Sequence, residues 1–122
     1  MKGNRFLRYL YVILSVGIIA FGVIHIAATP KFFMHLTSAA VWFASGGVAI
    51  VMTGALNLLR RAYGESAQGL RFVCVSANIV MTGLAFLAGY ASGASAVQFG
   101  LVIGLMGGAT LFSLLPHRKA LK

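Results

Sequence analysis

From Phe72 to Pro116 no residue carries a formal charge, and nothing else in the chain restricts its fold as much. Read as one helix, this stretch would reach about 68 Å at 1.5 Å rise per residue, far beyond a bilayer hydrocarbon core roughly 30 Å thick. It must double back. The turn chemistry for that lies in Gly89-Tyr90-Ala91-Ser92-Gly93-Ala94-Ser95, where glycine and serine interrupt the apolar run. The stretch therefore reads as two spans, 72–90 and 96–115.

Two more apolar runs precede it, 6–28 and 36–59. Thr29-Pro30-Lys31 closes the first, because proline lacks an N–H and disfavours helix in the residue before it. The second stops at Arg60-Arg61. The expected fold is all-α: an integral membrane four-helix bundle, up-down-up-down, with 1–122 as a single transmembrane domain. Composition agrees, since 60% of residues are hydrophobic and 9% charged, against about 25% charged in soluble domains. A water-soluble domain this small could not cover so much apolar surface. The lipid bilayer is thus the first partner.

The formal charge of +9 raises the question of nucleic acid. The basic residues, however, sit at the ends of apolar runs, where they act as topology signals and headgroup contacts, and no nucleic acid partner is expected. Lys2, Arg5, Arg8, Arg60, Arg61, Arg71, Arg118, Lys119 and Lys122 stand against Lys31 alone on the other side. Retention of positive charge inside places both termini and the middle loop in the cytoplasm, in a cell inner (plasma) membrane. Lys2, Arg5 and Arg8 before an apolar run resemble a signal peptide, with Ile26-Ala27-Ala28 as cleavage site. The apolar core exceeds the usual roughly 7–15 residues and lacks a clear small-x-small site, so it is expected to stay as a span.

In lipid, helices associate through small residues and polar side chains. Gly100, Gly104 and Gly108 recur every four residues in the fourth helix as a glycine zipper. In the second helix Ala40, Ala44, Gly47, Val51, Gly54 and Leu58 form a seam, a natural partner for that zipper within the chain or in a homo-oligomer. Ser15, Ile18, Gly22, His25 and Thr29 share one face of the first helix, and Asn78, Thr82, Ala85 and Gly89 one face of the third.

Counted from the cytoplasmic arginines, Ser15, Thr53, Asn78 and Thr110 all lie about 10–12 Å deep. They form a candidate polar layer, either interhelical hydrogen bonds or a polar ligand site. At the outer end His25, Thr29, Lys31 and His35 are followed by Ser38 and Trp42. Histidine titrates near neutrality and ligates metals and haem, so this group reads as interfacial packing, a quinone or substrate headgroup site, or a haem or metal site. Cys74 has no partner for an intramolecular disulfide and reads as a small hydrophobe.

Glu65 is the single acid and lies in a loop. Proton-coupled transport usually needs an ionisable residue at membrane depth, which weighs against the small multidrug exporters. With no paired carboxylates, no Cys-x-x-Cys and no i, i+4 histidines, no catalytic residue or metal ligand is assigned.

Arg8, then Gly22-Val23-Ile24-His25-Ile26, then Thr29-Pro30-Lys31-Phe32-Phe33, followed by Trp42-Phe43 and Gly46-Gly47, resembles the opening half of small four-helix DoxX-like membrane proteins. The resemblance implies a bacterial inner-membrane four-helix bundle, some of whose relatives are associated with redox or quinone-linked complexes. The leading functional expectation is a non-catalytic accessory subunit or small-molecule-binding module of a membrane complex. The rivals are a quinone- or haem-linked subunit using His25 and His35, and a transporter or channel for a small neutral or anionic solute.

The basic asymmetry predicts that a reporter fused after Lys122 reads cytoplasmic and one inserted beside Lys31 reads external. The opposite pair of readings would reverse the topology.

Overall fold

The computed structural model describes residues 2–64 and 66–115, with side chains from residue 5 onward. Among the described residues the chain is helical, with no strand: α1 (Lys2–Phe32), α2 (Ser38–Tyr63), α3 (Gln68–Ala91) and α4 (Ala96–Leu114). All four helices are long and apolar enough to cross a membrane. The tail with His117, Arg118, Lys119 and Lys122, like Glu65, lies outside the described residues.

The boundaries follow local chemistry, with departures from the expected spans: α3 begins at Gln68, ahead of Arg71, and two signals read as stops do not end their helices. Pro30 does not close α1 but sits in its last turn. Only the bond that a Pro30 N–H would make is lost there, and Phe33 N still donates to Thr29 O at 2.9 Å. α2 likewise continues through Arg60 and Arg61, because arginine is a good helix former and suits the negative end of the helix dipole. The α3–α4 turn falls where its glycines and serines put it. Gly93 takes the left-handed region at φ 64°, which glycine enters without steric cost. Ser95 then caps α4 by a reciprocal pair: its Oγ accepts from Gln98 N at 3.3 Å, and its own N–H donates to Gln98 Oε1 at 3.2 Å.

The chain forms two compact units, Met1–Leu56 and Asn57–Lys122, dividing within α2. In the first, α1 and α2 run antiparallel at backbone contact. A Cβ on Gly22 would lie 2.8 Å from Gly47 O and 2.8 Å from Val51 N, and one on Gly54 would lie 2.7 Å from Ser15 O. The sequence spacing pairs the Gly47/Gly54 seam with α4, whereas the structure sets both glycines against α1. The reason is complementarity: Gly22 lies opposite Gly47, so neither helix has a side chain to hold the backbones apart.

In the second unit α3 packs antiparallel on α4. Thr82 and Gly89 turn toward α4, with Thr82 on Thr110 and Gly89 under the Phe99 ring, and the Asn78 backbone carbonyl accepts from Thr110. Gly100 and Gly104, expected to pack α4 on α2 or on a second copy, take no part in the α3 interface. A Cβ on Gly100 or Gly104 would meet nothing within 4 Å, and the buried residues of α4 are Met106, Ala109 and Ser113. Larger and hydroxyl-bearing side chains make this interface because they fill and bond it.

These contacts give opposite signs to one substitution. Gly54→Ala should cost about 1–3 kcal/mol, since the methyl meets backbone that cannot swing away. Gly104→Ala should be neutral or stabilise by up to about 1 kcal/mol through helix propensity. Thermal unfolding in detergent reads both, and a Gly54→Ala protein as stable as wild type would contradict the backbone contact.

Candidate functional site

The second unit holds a polar centre inside otherwise apolar helices. Asn57, on the last part of α2, is the only carboxamide in that helix and sits among leucines. Asn78 lies in α3, one turn after Cys74. Helical spacing places Cys74 and Asn78 on one face of α3, toward Asn57. All three are buried, with Asn57 at 0% and Asn78 at 1% exposure.

The two carboxamides pair reciprocally. Asn57 Nδ2 donates to Asn78 Oδ1 at 2.9 Å, and Asn78 Nδ2 donates to Asn57 Oδ1 at 2.8 Å. The second hydrogen of Asn78 Nδ2 goes to Cys74 O at 2.8 Å, closing a bond along its own helix. The Cys74 thiol donates to Asn57 Oδ1 at 3.3 Å. Cys74 is therefore a partner in the network and not the plain hydrophobe its apolar surroundings suggest.

Thr110 extends the centre to α4. Its Oγ1 lies 2.8 Å from Met106 O and 3.1 Å from Asn78 O. A hydroxyl has one proton, so Thr110 spends it on a carbonyl and accepts from Thr82 Oγ1 at 2.8 Å. Ser113 Oγ donates to Thr110 O at 2.7 Å. Three helical segments are thus joined by side-chain bonds that satisfy one another.

The other residues of the sequence-derived layer lie in the first unit. Ser15 Oγ donates to Tyr11 O at 2.7 Å and Thr53 Oγ1 to Ala49 O at 2.8 Å, each to the carbonyl four residues earlier. Such back-bonding keeps a hydroxyl satisfied within its own helix. Asn57 was not among the sequence candidates. Its proximity to Arg60 makes it read as the polar end of a span, although one amide between Leu56 and Leu58 is itself a signal of a bonded interior position.

The His25 group of the first unit is aromatic more than polar. His25 stacks on Phe43 with ring centroids 4.0 Å apart and 15° between planes, and Phe21 lies 6.0 Å from it. Phe32 and Phe33 pack around the same Phe43 ring at 5.8 and 5.5 Å. The Thr29 hydroxyl points back to His25 O at 3.4 Å, which leaves the loop and stays with its helix. His35 and Trp42 are exposed, Trp42 at 78%. Among the described residues no group of three or more His, Cys, Asp or Glu could hold a metal ion.

No protein-family model, curated protein or solved structure matches this chain.

The amide pair makes a measurable coupling. Asn57→Leu or Asn78→Leu alone strands the other carboxamide and should cost about 1–3 kcal/mol. The double variant should cost less than the two singles together, because no buried amide is left over. Reversible unfolding in mixed micelles measures the cycle. Strictly additive single effects would mean that the two amides do not pair.

Proposed function

We propose that the chain is a small multi-pass membrane protein that works without chemistry of its own, as an accessory subunit or small-molecule-binding module of a membrane complex. The observation that carries this reading is the closed polar centre of the second unit. A catalytic or transporting site presents polar groups to its substrate. Here Asn78 and Thr110 have spent their donors on Asn57, Cys74 and helix carbonyls. Side chains used in this way specify which helices pack and at what register, the ordinary work of polar residues in membrane interiors. That use also weighs against a solute path through the layer.

The four spans, read with the basic asymmetry, belong in this proposal to an up-down-up-down bundle with cytoplasmic termini in a bacterial inner membrane, as the DoxX-like resemblance also implies. A second reading is favoured by one observation. The half-buried His25 ring, stacked on Phe43 amid Phe21, Phe32 and Phe33, offers a hydrogen-bonding edge inside an aromatic lining. That chemistry suits a flat apolar ring with polar edges, such as a quinone.

Gentle extraction tests both readings. The accessory reading expects a stoichiometric protein partner or a small apolar molecule to leave the membrane with the chain. If a quinone co-elutes, His25→Ala should reduce its retention at unchanged protein abundance, and His35→Ala should not. Purified chain that carries nothing and by itself drives solute flux into liposomes would refute the accessory role.

A further inference from the structure

Ten lysines and arginines stand against one acid in this chain, so its positive charge has almost no carboxylate to meet. The second unit concentrates part of that charge at one end. Arg60 on α2 donates to Leu115 O at 3.3 Å, and Arg71 on α3 makes a long 3.5 Å bond to Leu114 O. Guanidiniums from two helices thereby converge on adjacent carbonyls at the C-terminal end of α4. Arg61 follows Arg60 directly, and its Nε is covered by protein without a hydrogen-bond partner.

The α4 terminus accounts for a share of this charge. A helix C-terminus carries roughly half a negative elementary charge, and its last carbonyls need donors. Arg60, Arg61 and Arg71 outnumber the single acid of the intervening sequence, Glu65, and the half charge of the α4 terminus leaves this end of the unit net positive. A buried N–H without an acceptor adds a cost, which a turn of the Arg61 side chain toward an outside anion would remove. The nearby surface narrows the anion's class. Phe72, adjacent to Arg71, is 75% exposed, and Leu59 and Leu115 are 49% exposed, so apolar surface begins where the arginines end.

We propose that this end of the second unit is a binding site for the headgroup phosphate of an anionic phospholipid. Arg61 and Arg71 contact the phosphate oxygens through their planar donor forks, and Arg60, buried and tied to Leu115 O, adds its charge from beneath. The acyl chains lie along the exposed apolar side chains. This site depends on the chain being a membrane protein and not on the accessory role.

Native mass spectrometry of the full chain in mild detergent, titrated with phosphatidylglycerol, phosphatidylcholine of the same acyl chains, or inorganic phosphate, tests the site. The expected result is preferential binding of phosphatidylglycerol, weakened about fivefold by Arg71→Gln and about 25-fold by Arg61→Gln with Arg71→Gln. Lys31→Gln should leave that preference unchanged. Arg71 is exposed, so its single variant remains readable if the double variant loses stability. Equal binding of the two lipids would overturn the site, as would a preference undiminished by Arg71→Gln. Inorganic phosphate that binds as tightly as phosphatidylglycerol would overturn the lipid assignment and identify the source as free phosphate.

Discussion

A polar group inside hydrocarbon must find its partner within the protein, because lipid offers neither donor nor acceptor. Helix formation meets that demand for the backbone and leaves it open for side chains. In the second unit it falls on Asn57 and Asn78, whose carboxamides are buried and bonded to each other. Once these two are paired, α3 has one rotation relative to the end of α2. Cys74 is then carried to the Asn57 oxygen, and the opposite flank of Asn78 to Thr110. A slip of one residue in α3 would turn Asn78 by about 100° and strand both amides.

The two units meet the lack of a hydrophobic force between helices in different ways. The first removes side chains: Gly22, Gly47 and Gly54 let two backbones touch, and the gain is dense van der Waals contact. The second keeps its side chains and bonds them, with the Gly100 and Gly104 positions of α4 left open. The proposed role follows from that division. Neither arrangement holds a polar group in reserve for a substrate, and the unspent chemistry of the described residues lies at the ends, at the His25 aromatic group and the arginines.

Hydropathy and turn chemistry made the four helices legible, including the α3–α4 turn, which no charge marks. Ser95 and Gln98 lie at the capping-box spacing, and Gly93 supplies the one left-handed residue among those described. Faces were legible where small and polar residues coincide, as in Gly22 on α1 or Asn78 and Thr82 on α3. Partner choice was not. The Gly100–Gly104 spacing is as regular as that of Gly47 and Gly54, and only three-dimensional placement distinguishes a glycine under a neighbour's carbonyl from one in open space. Asn57 escaped notice for a related reason. Near Arg60 it looks like the hydrated end of a span, and its burial depends on Asn78, which is remote in sequence.

The polar network is closed within the second unit, and the chain's single cysteine reports on it directly. Cys74 is fully buried, with its thiol on Asn57 Oδ1, and a buried thiol held this way is inert. The rate at which a membrane-permeant maleimide labels Cys74 in native membranes is therefore the most direct measurement. A closed network gives negligible labelling of the folded protein, rising sharply in Asn57→Ala or after unfolding. Rapid labelling of the native chain, unaltered by Asn57→Ala, would contradict it.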